Sequence, residues 1–179
     1  MSLSLALNLL AVLVALAALG TSVAVAQRQL RLAQNSNVLP IVIELFRETR
    51  EPDFSQAIAY ISTRLNTEHS HENGYRRLPP EALGHIRRVS LFYDDVGKLV
   101  AHGVVDEVLV IGSYGLNIVS MWDVLAPYIY RERALTTPAM LYFEDLAARA
   151  KARPMSAVHT SIGLAQCPPW NGDGPQTAP

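Results

Sequence analysis

Two short stretches hold the side chains best suited to chemistry. The first, Glu68-His69-Ser70-His71-Glu72, places two imidazoles and two carboxylates within five residues. Neutral imidazole nitrogens and carboxylate oxygens are zinc donors, provided they converge on one point. A His-x-His pair in a polar, glycine-containing loop lacks the i, i+4 helical spacing that holds two ligands on one face. The stretch is therefore read as a solvated loop. Glu68, His69, His71 and Glu72 are the candidates if a metal site exists, and no metal or cofactor is assigned. The second stretch, "FYDDVGK", carries Asp94, Asp95 and Lys98. A carboxylate pair can do acid/base work, but neighbours on a helix point in different directions. Asp94 and Lys98, four apart, are instead spaced to pair on one surface.

Arginine doublets stand at Arg76-Arg77 and Arg87-Arg88. Near a bilayer such cations touch anionic lipid, at about 1 kcal/mol each. Elsewhere they are solvated or paired. No phosphate-cradling glycine loop, nucleophile elbow or helical zinc-protease pair occurs, so no catalytic residue is assigned. With a net charge of -1 and a pI near 6.5, the chain lacks the basic field that recruits nucleic acid. Cys167 is the single cysteine, which excludes an intramolecular disulfide.

The elements that must position these residues begin with an uncharged run. No Asp, Glu, Lys or Arg occurs before Arg28, and Leu3 to Ala26 is long enough to cross a hydrocarbon core, which needs about 20 apolar residues. Its terminal "AVA" fits a signal-peptidase site, and the alternative is a cleaved signal with an exported helical domain. A basic n-region is missing, however, while Arg28 and Arg31 follow the run directly. The expectation is a permanent anchor over residues 1–26, with the N-terminus outside and the bulk of the chain cytoplasmic. Ala11, Ala15, Ala18 and Ser22 lie on one face, spaced four, three and four. Such small residues allow close approach of a second membrane helix, and hence self-association.

Residues 27–36 read as a polar stalk, with Asn35 to Asn37 able to cap a new helix. A helical domain over residues 37–153 follows. Val38, Ile41, Val42, Leu45 and Phe46 make one apolar face, and Phe54, Ile58, Ile61 and Leu65 another; the two helices are expected to form a hairpin. Leu83, Ile86, Val89, Tyr93, Val96 and Val100 define a longer helix after a proline start, with Gly103 ending it. Asp106 then caps a helix whose expected core positions are Val108, Leu109, Ile111, Leu116, Val119, Trp122, Leu125 and Ile129. Gly112, Gly115 and Pro127 predict a break or kink. The β-branched run from Val104 to Val119 also admits a strand, but its apolar spacing continues through Trp122 and favours helix. The last helix buries Leu141, Phe143 and Leu146. Residues 154–179, rich in Pro and Gly, are expected to be a disordered tail. The fold class is all-α: one N-terminal transmembrane helix and a bundle of about five helices.

"FYDDVGKLVAHGVVDEVLV", "WDVLAPYIYRERA" and "YFEDLAARA" together resemble a bacterial, actinobacterial-type family of membrane proteins catalogued only as a domain of unknown function. The resemblance extends back through "VLPIVIELFRETREPDFSQAIAYISTRL" to the N-terminal helix, leaving out the histidine loop and the tail. It implies an all-helical cytoplasmic domain on one anchor. It supplies no activity and no catalytic residue. The functional expectation is a single-pass protein that binds a protein partner at the cytoplasmic membrane face, with the bilayer as its other partner. The competing expectation is a metal-dependent enzyme or hydrolase using Glu68, His69 and His71.

Overall fold

A computed structural model describes residues 3–136, 138–165 and 167. Its elements are α1 (Leu3–Glu48), α2 (Pro52–Thr63), α3 (Leu65–Glu68), α4 (Pro80–Ala101), α5 (Glu107–Leu135), α6 (Leu141–Ala152) and α7 (Met155–Ser161). The described residues are all-helical outside their turns and loops, as the apolar spacing predicts. The chain divides after Glu51 into two compact units.

The first unit is α1, which at ~1.5 Å per residue is roughly 70 Å long. It runs unbroken through the expected stalk and through Pro40. No new helix therefore starts at Asn35 to Asn37, where the preceding turn already supplies acceptors for the backbone N–H groups. Pro40, inside α1, has no N–H to donate to the helix. Residues 38–48 thus continue α1 instead of starting a helix of their own, and α2 belongs to the other unit. The side chains of Ala11, Arg28 and Arg31 lie outside the described residues. Ala15, Ala18 and Ser22 are exposed, as are Val12, Val14, Leu16 and Leu19, the last at 63%.

Among its described residues the second unit contains α2 to α7, six helices rather than about five, because α3 and α7, four and seven residues long, are too short for periodicity to detect. α4 packs most extensively on α6, α5 packs on α6 and α7, and α2 packs on α4. Phe143 of α6 is the hub. Its ring stacks on Tyr93 of α4 at 5.2 Å and meets Trp122 of α5 edge-on at 5.1 Å. Aromatic pairs of this kind add about 0.5–1.5 kcal/mol beyond the area they bury. Burial also pushes the Tyr93 hydroxyl pKa up.

α4 begins after Pro79 and buries Ile86, Val89, Tyr93, Val96 and Val100, in agreement with the apolar spacing. Asp106 caps α5 as expected, its carboxylate accepting from the Val108 N–H at 2.7 Å. α5 itself is continuous across Gly112, Gly115 and Pro127, so the expected break is absent, and the strand alternative for its first half is excluded. Its buried set is rotated from the expected one. Leu109 and Leu116 face outward, Leu116 at 68% exposure, while Val110, Ile118, Met121 and Glu132 are buried. α5 is apolar around most of its circumference, so spacing alone cannot choose the inner face; the positions of α6 and α7 do. Leu141, at the very start of α6, is likewise 53% exposed rather than buried.

The disordered tail does not start at residue 154. Met155–Ser161 form α7, whose Val158 is fully buried, and His159 Nε2 lies 2.7 Å from the Gly112 carbonyl oxygen. One apolar residue and one polar tether are enough to seat this turn on α5. The part of the tail from 168 onward lies outside the described residues.

Among the described residues, α5 is the one helix long and apolar enough to cross a membrane by length and composition, and 39% of its most apolar window is buried inside the domain. The apolar segment described within α1, Val14–Val23, is shorter than a full crossing.

Candidate functional site

The histidine stretch is tied into the fold rather than opened to a ligand. Glu68 ends α3, where it accepts from Arg64 Nε at 2.7 Å and from the Tyr60 hydroxyl at 3.2 Å. The Arg64 hydrogen bond holds the Glu68 carboxyl below its ordinary value, against partial desolvation. His69 Nε2 lies 2.9 Å from the same Tyr60 hydroxyl. The His71 ring meets Tyr128 edge-on at 5.9 Å. Glu72 is held through its backbone: its N–H donates to the Ser70 hydroxyl and its carbonyl accepts from Arg131 Nε. Among the described residues, no group of three or more His, Cys, Asp or Glu side chains is arranged to hold a metal ion.

What fixes this loop is the C-terminal part of α5. The Tyr128 hydroxyl donates to the His69 carbonyl at 2.8 Å. Glu132, almost completely buried, accepts from the Arg76 backbone N–H at 3.1 Å through Oε2, and its Oε1 accepts from the Thr136 hydroxyl at 3.1 Å. Gly74 passes over the same carboxylate with φ +74°, and a Cβ there would stand 2.5 Å from Oε2. Only glycine meets both demands. Nothing in the apolar periodicity points to Glu132. Its signal is its place: a carboxylate in register with Leu125 and Ile129 on the inner face.

The Asp94–Asp95 pair separates as helical geometry requires. Asp95 is exposed and pairs with Lys98 at 2.8 Å. Asp94 is buried. Its Oδ2 meets Lys98 Nζ at 3.0 Å, while Oδ1 accepts from the backbone N–H groups of Tyr142 and Phe143 at 3.0 and 3.1 Å. These hydrogen bonds with both carboxylates push the Lys98 pKa up to about 12. Asp94 is thus a cap for α6 supplied by another helix. α6 needs one, because its own N-cap position is Met140, in the left-handed conformation at φ 55°, with no side-chain oxygen to offer. Asp94→Ala is expected to lower the stability of the domain by about 2 kcal/mol, and Asp95→Ala to change it by less than about 0.5 kcal/mol. Urea unfolding followed by circular dichroism checks the contrast; equal effects would remove Asp94 from this capping role.

Next to this cap lies a cleft of about 620 Å³, between the loop after Gly74, α4 and the segment leading into α6. One residue of each arginine doublet lines it, Arg76 and Arg87, together with Tyr75, Leu83, Leu91, Asp94 and the turn Pro138 to Met140. The other two arginines do not. Arg88 is 3.7 Å from Asp53, and Arg77 is exposed. Elsewhere on the second unit, a groove of about 380 Å³ runs between α5 and the start of α7, lined by Gly115, Leu116, Val119 and Met155 among others.

Fold and site together define a small all-helical domain following a long N-terminal helix, with a cleft lined by Arg76, Arg87 and Asp94. The chain belongs to the family described as "Domain of unknown function (DUF4760)", which matches residues 6–150. That span includes the histidine loop, which the quoted motifs had left out, and stops short of α7. No curated protein and no solved structure matches the chain.

Proposed function

We propose that this is a single-pass bacterial membrane protein whose α1 is the anchor and whose helical domain binds a protein partner at the cytoplasmic face. The observation that carries the anchor is the surface of α1. Every side chain described from Val12 to Ala26 is exposed, none is charged, and Val12, Val14, Leu16, Leu19, Val23 and Val25 are large and apolar. Exposed apolar area costs about 25 cal/mol per Å² in water, and a helix apolar on all sides is at ease only against other apolar matter. Hydrocarbon supplies that, and Arg28 with Arg31 directly after the run favours retention of the following chain in the cytoplasm. The small-residue face at Ala15, Ala18 and Ser22 is open to a second copy of the anchor.

A partner-binding role is supported by what the domain shows and by what it lacks. Leu109 and Leu116 form an outward apolar ridge beside the α5–α7 groove. The side chains best suited to catalysis, Glu68, His69 and Asp94, are engaged in holding the fold. This favours binding over hydrolysis or metal chemistry.

The native thiol tests orientation without any engineering. Cys167 is exposed and is the single cysteine of the chain. In intact cells a membrane-impermeant maleimide is expected to leave it unlabelled, and permeabilisation to bring labelling to completion. Full labelling of intact cells would place the domain outside and support an exported protein instead.

A further inference from the structure

We propose that the cleft between α4 and the α5–α6 turn is a binding site for a phosphate or carboxylate group carried on a small organic molecule or on a lipid headgroup. The carrying observation is a juxtaposition invisible in the sequence: of two arginine doublets eleven residues apart, the fold takes Arg76 from one and Arg87 from the other and lines a single cleft with both. A guanidinium presents a planar fork of donors that matches the oxygens of a carboxylate or phosphate.

The carboxylates near these arginines are Asp94 and Glu132, and Glu132 is paired with Arg76. Asp94, the carboxylate lining the cleft, has both oxygens occupied by the α6 backbone and Lys98. Glu132 Oε1 lies 3.5 Å from Arg76 Nε, and the same carboxylate is bonded to the Arg76 backbone N–H and Thr136. Arg87 is exposed and makes no ion pair among the described residues. The carbonyls of Ala139 and Met140, on the third wall, accept from Arg133. Each of these carbonyls thus already carries a hydrogen bond, and Arg87 is left as the guanidinium of the cleft without a carboxylate partner among the described residues.

Size and lining select the rest of the ligand. A volume of about 620 Å³ lies in the range of small-molecule sites, roughly 300–1,000 Å³. Leu83 and the 40%-exposed Leu91 give it an apolar side, so the anion is expected to carry a short apolar portion. A bare surface ion pair would need neither the volume nor these leucines.

The experiment uses the full chain in nanodiscs of phosphatidylcholine, with inorganic phosphate as the probe in isothermal titration calorimetry at constant ionic strength. Saturable binding of one phosphate per chain is expected. Arg87→Gln is expected to weaken it about tenfold or more, with the unfolding midpoint unchanged, since Arg87 is exposed and makes no ion pair among the described residues. A second set of discs containing phosphatidylglycerol separates the two sources of the anion. Phosphate binding that disappears there identifies the lipid headgroup as the occupant; binding that persists identifies a free small anion. Absence of saturable binding to the wild-type chain in phosphatidylcholine discs, or an Arg87→Gln affinity equal to wild type, would overturn the assignment.

Discussion

Replacing Gly97 by alanine is expected to destabilise the helical domain by about 2–3 kcal/mol, although the same substitution at Gly84, thirteen residues earlier in α4, is expected to stabilise it. In an exposed helix interior, alanine is favoured over glycine by about 1 kcal/mol. Gly84 fits that case: a Cβ there meets nothing within 4 Å. Gly97 sits where α4 and α6 come closest. A Cβ there would clash with the Tyr142 carbonyl group, lying 2.7 Å from its carbon. The obstacle is backbone, so no side-chain rotation relieves it, and α6 must move away from α4. That movement pulls Tyr142 and Phe143 off the Asp94 carboxylate and loosens Phe143 from Tyr93. Overpacking of this kind costs about 1–3 kcal/mol, and loss of the shared cap adds to it. Opposite signs of the two unfolding-midpoint shifts check the prediction; a stabilised Gly97→Ala variant would mean that the helices do not approach this closely.

The second large effect is expected at Glu132. Alanine there leaves the Arg76 backbone N–H without its acceptor and the Thr136 hydroxyl with the backbone carbonyl of residue 132 alone. Hydrogen bonds to a charged group contribute about 1.5–3 kcal/mol, and a buried donor left unpaired costs more than the bond was worth. Arg76 is about half exposed, so solvent replaces much of its ion pair with Glu132, and a net loss of about 2–4 kcal/mol is expected. Glu132→Gln keeps an acceptor oxygen and the shape, and should lose less than half as much. The damage should also be local. Amide exchange is expected to quicken first between His69 and Leu78, the segment that Tyr128, Arg131 and Glu132 hold on α5. If exchange in that segment is unchanged, Glu132 is not its latch.

These two variants mark where reading the sequence stops being sufficient. α4 was legible, because its apolar residues recur every three or four positions on one side and polar residues cover the other. The cap at Asp106 was legible for the same kind of reason, since it acts on an N–H two residues away. α5 was legible as a helix but not in its orientation, because an apolar circumference carries no directional signal. The histidine loop was legible as a loop, while its lack of a metal-ligand cluster among the described residues was a matter of which neighbours claimed each side chain. Tyr60, nine residues before His69, meets its ring nitrogen.

What the sequence by itself determined is local: the helical class of the domain, most element positions in the second unit, the uncharged run at the N-terminus and the pairing of Asp94 with Lys98. These depend on residues within one or two turns of each other, where spacing and geometry are linked by the helix itself. Only the tertiary structure decided that Asp94 caps α6 from forty-eight residues away, that Glu132 is buried beneath Gly74, that α7 exists, and that Arg76 and Arg87 share a cleft. Each of these joins segments whose separation along the chain is unrelated to their separation in space, and packing of α4, α5 and α6 sets that second distance.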